Sequence, residues 1–184
     1  MSTRVEEFET QVRDAIDGVG DIAGSVVGAV SRTMVEAIRG TRAASGELLA
    51  LGTDTVKGAV RAVAEVGSEA GESAKFVMVG ALHGLKEVGR ATIDTVSSTA
   101  SALVSATFEV GGDIAAATEG AVAGAIVSAR DLGLSAEQAA AAAASGALEA
   151  AGEIGGTAVE EVRRVLKKTI AGVKVDETKR KRTA

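Results

Sequence analysis

Cysteine, proline, tryptophan and tyrosine are all missing from this 184-residue sequence, which holds one His and three Phe. Without Cys there is no disulfide framework and no thiolate metal site. Without Pro, the commonest stop after a helix is gone. With so few aromatics, a compact core would lack the side chains that bury most area per residue. His83 falls on a charged line of the chain and is expected to face solvent, and no nucleophile, base and orienting group can be assembled around it from nearby residues. The acids recur as regular solvated lines rather than as a facing catalytic pair. No His or Cys has metal-ligand spacing. Glycine-rich pieces such as 67–71 lack the following Lys-Ser/Thr and the strand that a phosphate loop needs. The sequence therefore predicts no enzyme, with no catalytic residues, no cofactor and no metal.

The start of the chain has no apolar run behind a basic stretch, which predicts no signal peptide. The longest uncharged run, 95–108, is 14 residues and too short for a conventional membrane span. These features predict a cytoplasmic protein, with membrane association as the alternative.

What the sequence does have is a repeat, the first thing to seek in any chain. Stepping eleven residues at a time from Val5 to Ile170, large aliphatics stand at Val5, Ile16, Val27, Ile38, Leu49, Val60, Leu82, Ile93, Val104, Ile126, Leu148, Val159 and Ile170. Only Gly71, Ala115 and Glu137 interrupt the line, and there the packing is expected to loosen. Eleven residues in three turns is close to the relaxed helix and implies a slight right-handed supercoil. Flanking lines rich in Ala, Gly and Val widen the apolar face to nearly half the circumference. Such breadth suits two or more close neighbours per helix. A longer period of 22 overlies the first: acid-then-aliphatic pairs recur at Glu65-Val66, Glu87-Val88, Glu109-Val110, Asp131-Leu132 and Glu153-Ile154. Glycines recur at the same step, at Gly67, Gly89, Gly111, Gly133 and Gly155, and read as helix-contact glycines.

A turn ordinarily resets helical phase, and here the phase persists. The expected fold is therefore all-α: a long, nearly continuous hendecad coiled-coil helix over 1–175 with no globular core, then a basic tail over 176–184. A kink or turn is expected, if anywhere, at 131–138, where Gly133 could end one helix and Ser135 with Gln138 cap the next. A continuous rod from 5 to 170 would measure ~250 Å. It could not bury its own stripe, and isolated helices owe little stability to propensity.

The stretches Thr55-Val56-Lys57-Gly58-Ala59-Val60 and Thr118-Glu119-Gly120-Ala121-Val122, set in an eleven-residue step, resemble the repeats of synuclein and perilipin proteins. That resemblance implies a long amphipathic helix lying on a membrane or lipid droplet. The regular Lys flanks suited to an anionic surface are absent from 91–162, where Arg130 is the lone base. As a period, the chain also resembles bacterial proteins built of hendecad coiled-coil repeats, and this resemblance ranks higher.

Charge is polarised. The net is −4 over 4–21, −9 over 94–161 and +7 over 163–182. Lys179, Arg180, Lys181 and Arg182 are expected to contact acidic stretches of another copy. Nucleic acid is disfavoured, because aromatics to stack bases are missing and the rest of the chain is acidic. The leading expectation is a structural protein that self-associates through the aliphatic line into a homo-oligomer or homopolymer: a bundle, tube or filament. The alternative is an amphipathic-helix coat on a membrane, lipid droplet or polymer granule. An oligomeric barrel within a membrane is a third reading, costly in buried charge.

Overall fold

A computed structural model describes the backbone of residues 22–40, 45–66 and 70–182, and the side chains of 23–40, 50–65 and 70–169. The described chain is all-helical, as expected, but it is not one helix. It consists of α1 (Ile22–Arg39), α2 (Ser45–Val66), α3 (Ala70–Glu87), α4 (Ile93–Glu109), α5 (Ile114–Ala129), a 3-10 turn (Arg130–Leu132), α6 (Ala136–Ile154) and α7 (Gly156–Arg182).

The breaks fall where the 22-residue glycines stand. Gly89, Gly111, Gly133 and Gly155 have φ of +69°, +73°, +71° and +142°, a backbone region costly for any residue with a Cβ. They are turn residues, which corrects their reading as helix contacts. Around the first three, the same pair of hydrogen bonds closes the helix end. Arg90, Gly112 and Leu134 N–H donate to the Leu85, Thr107 and Ala129 carbonyls at 2.8, 2.8 and 2.9 Å. Gly89, Gly111 and Gly133 donate to Lys86, Phe108 and Arg130 at 2.9, 3.0 and 3.2 Å, completing three Schellman motifs in register.

A new helix is then capped at once. The Thr92 hydroxyl accepts from Thr95 N–H at 3.2 Å and Asp113 Oδ1 from Ala115 and Ala116 N–H at 2.9 and 3.0 Å. Ser135 Oγ accepts from Gln138 N–H at 3.1 Å while Gln138 Oε1 accepts from Ser135 N–H at 3.0 Å. The turn expected at 131–138 is thus present with the expected cap, as one member of a series. The continuous helix is overturned because helix plus turn together take 22 residues, two hendecads. Phase survives each reversal, so its persistence never argued against hairpins.

The expected lack of a globular core is overturned as well. Val30, Met34, Val56, Val77, Met78, Leu82, Val96, Leu103, Val104 and Val122 are buried together with many alanines. The stripe is covered by other helices of the same chain. From α1 to α6, each helix packs most extensively against the one two places along. These pairs run parallel. Gly80 on α3 abuts Val27 and Val30 of α1, and Gly84, one turn on, abuts Ser31 and Met34. Gly120 on α5 abuts Gly71 and Ala74 of α3, and Gly124 abuts Lys75 and Met78. Gly146 on α6 lies on Ser97 and Ser101 of α4. Short links reverse direction between successive helices, so α1, α3 and α5 form one row and α2, α4 and α6 the other.

This packing depends on missing methyl groups. A Cβ at Gly84 would stand 2.7 Å from the Met34 Cβ, and one at Gly124 would stand 2.8 Å from the Lys75 carbonyl oxygen. Gly71, expected to mark loose packing, instead meets Gly120 where the backbones come closest. Its gap in the aliphatic line is what that approach requires.

The two kinds of helical glycine should respond oppositely to alanine. Gly124→Ala, facing the Lys75 backbone and Met78, is expected to destabilise by about 1–3 kcal/mol. Gly28→Ala, whose Cβ would meet nothing within 4 Å, is expected to stabilise by about 0.5–1 kcal/mol. Urea midpoints measured on both variants check the pair.

Candidate functional surfaces and cavity

The aliphatic line expected to mediate self-association is divided by the fold. Ile38, Val60, Leu82 and Val104 are buried within the chain; Val27, Ile126, Leu148 and Val159 are half-buried. Ile93, at the start of α4, is 46% exposed. Val5 and Ile16, and the side chains of Leu49 and Ile170, lie outside the described residues. Lys179, Arg180, Lys181 and Arg182 belong to α7 by backbone, with side chains outside those described.

The acids of the 22-residue period form one side of a surface ladder. Arg39 donates to Glu87 Oε1 at 3.2 Å, Arg61 to Glu109 Oε2 at 3.4 Å, and His83 Nε2 lies 3.5 Å from Asp131 Oδ2. All three pairs are 48 residues apart, joining a helix to the end of the helix two places along. His83 is therefore a surface residue on this ladder, its side chain 41% exposed. The acids were evident as a line in the sequence; the bases were not read with them, although Arg39, Arg61 and His83 also step by 22.

The strongest rung is Glu109, which also accepts from Lys57 Nζ at 2.7 Å. That hydrogen bond, with the charges of Lys57 and Arg61, holds the Glu109 carboxyl below its ordinary value of 4.5 against the opposing effect of partial burial.

Buried hydroxyls turn back on their own helices instead of assembling a site. Thr55, Thr99, Thr107 and Thr118 donate to the carbonyls of Leu51, Thr95, Leu103 and Ile114, four residues earlier, at 2.8, 2.6, 2.9 and 2.7 Å. Ser128 Oγ on α5 is buried without a partner. Among the described residues no cluster of three or more His, Cys, Asp or Glu could hold a metal ion, and no helix is long and apolar enough to cross a membrane.

Two other features stand out. On α7, Arg163, Arg164, Lys167 and Lys168 are all exposed, opposite the buried Ala158, Val162 and Leu166. Their spacing puts the four charges on one helix face. The ten acids of 94–161 are exposed except for half-buried Glu161. The second feature is an apolar cavity between the ends of α2 and α4 and the start of α3.

No known protein family, curated protein or solved structure matches the chain. The functional reading rests on its own residues.

Two outcomes follow for stability. Glu109 has a lowered folded pKa, so its contribution is complete above 4.5 and is lost as pH falls through the folded value. Glu109→Gln should cost a few tenths of a kcal/mol at pH 7, given the exposure of the pair, and the difference from wild type should vanish in acid. Ser128→Ala, which removes the orphaned hydroxyl, should stabilise by about 1 kcal/mol. Denaturant titrations of the first variant at pH 7 and pH 3, and of the second at pH 7, check both.

Proposed function

We propose that the chain is a structural protein, not an enzyme, that assembles with copies of itself by setting the basic face of α7 against the acidic surface of a neighbour. The observation that carries this reading is the exposed quartet Arg163, Arg164, Lys167 and Lys168 beside a long segment whose ten acids face one base. A basic end meeting an acidic body is a heterologous contact. Repeated without closing, it produces a filament; closed, it produces a ring.

The fold changes what does the joining. With Ile38, Val60, Leu82 and Val104 already covered, the aliphatic line has little left to offer a partner. The exposed apolar residues Ile93, Phe108, Val110 and Val127 lie within the acidic segment, where they add contact area beside the charges. The same inward turn of the stripe favours assembly over the coating of a lipid or granule surface, which would require the helices to open. Cytoplasmic placement belongs to this proposal.

Sedimentation equilibrium at physiological salt is expected to show species heavier than the monomer that grow with concentration and shrink as salt is raised. Reversing Arg163, Arg164, Lys167 and Lys168 to Glu should return the chain to a monomer, and deleting 176–184 should weaken assembly. A chain that stays monomeric throughout, or assembles equally well in high salt and after the reversals, overturns the reading. Helicity that appears only on adding vesicles, followed by circular dichroism, would favour the surface coat instead.

A further inference from the structure

The repeating turns are alike in backbone, and at one of them the side chains leave a hole. Its volume is about 260 Å³, and its walls include Val60, Val63, Ala70, Ser73, Thr107 and Gly112. The neighbouring units carry larger residues at the corresponding places. One unit of 22 on from Val110 and Gly112 stand Leu132 and Leu134, both packed against the core. Two units on from Ala70 stands Ile114, buried at 8% exposure. Alanine and glycine at this turn therefore leave open a space that the same fold fills elsewhere.

We propose that this cavity is a binding site for a small apolar organic molecule of one or two rings. Its lining is aliphatic apart from the hydroxyls of Ser73 and Thr107, and no charged side chain faces it. The Thr107 hydroxyl has committed its hydrogen to the Leu103 carbonyl at 2.9 Å and retains only an acceptor. A phosphate, carboxylate or sugar would leave its polar groups unpaired there. An apolar cavity of roughly 150 Å³ is enough to take up benzene, so this larger one admits a second ring and at most one hydrogen-bonding group. Val110 on the wall is 37% exposed and Phe108 beside it 53%, which gives the cavity an apolar approach from solvent. The site is independent of the assembly proposed above.

Indole is the probe. The full-length chain, methyl-labelled at valine, is titrated with indole and followed by NMR. Saturable shifts are expected at Val60, Val63, Val77 and Val110, with Val30 and Val122, buried elsewhere, unmoved. Ala70→Ile supplies the residue that its own repeat carries at Ile114. It is expected to weaken indole binding at least tenfold and to raise Tm. Ala64→Leu, at the exposed rim of the same cavity, makes the comparison if Ala70→Ile does not fold. Absence of saturable shifts at the lining valines overturns the proposal, as do shifts that persist unchanged in the filled variant.

Discussion

The fold depends on a commensurability. Twenty-two residues make about six helical turns at the eleven-residue pitch, and here a helix and its reversal together take that number. Successive helical residues are separated by about 100°. A link one residue longer or shorter would swing the aliphatic line of the next helix away from the core. The link is therefore locked by chemistry at both ends: a glycine in positive φ with two Schellman bonds on one side, a side-chain cap on the other. The Gly111 link compresses both into four residues, Val110 to Asp113. The regularity of the array is a property of its turns before it is a property of its faces.

Within that frame, small residues replace aromatics as the source of cohesion. Among the described residues no aromatic is in the fully buried set, and many of the fully covered positions are alanines. Alanine buries little area, and an interior glycine costs on the order of 1 kcal/mol against alanine. What offsets this is proximity. Gly80, Gly84, Gly120, Gly124 and Gly146 bring parallel helices close enough for backbone to touch backbone, and dispersion across such a contact is collectively large. The arrangement resembles small-residue packing in membrane helices, carried out by helices whose outer faces are charged.

The sequence made the helical class, the 22-residue unit and one of the turns legible. The Ser135–Gln138 capping box could be read directly because capping is local chemistry. The other turns were hidden by the commensurability itself, since a period that survives every reversal looks like a period that is never interrupted. Telling Gly111 from Gly124 requires knowing φ, because each sits in a regular line of small residues. The ladder was half-visible for a related reason. Its acids are contiguous with an aliphatic marker, whereas Arg39, Arg61 and His83 acquire meaning only when a 48-residue separation becomes a neighbour relation. The cavity could not have been read at all, because Gly112 signals a void only by comparison with Leu134 in the same three-dimensional place.

The same comparison along the repeat bears on how the array ends. The position that carries Gly80, Gly124 and Gly146 also carries Gly58 and Ala102, all five buried, at successive steps of 22. One step before the first stands Glu36, and one step after the last stands Lys168, both exposed. In repeat proteins, terminal units with polar outer faces stop the stacking from continuing indefinitely. Glu36 and Lys168 do that here by occupying the close-approach position with a long charged side chain. Helix-on-helix packing of the internal kind is thereby confined to one chain. Contact between chains is left to charge, acidic along the body and basic at α7, which is why assembly should be salt-sensitive while the fold itself is not.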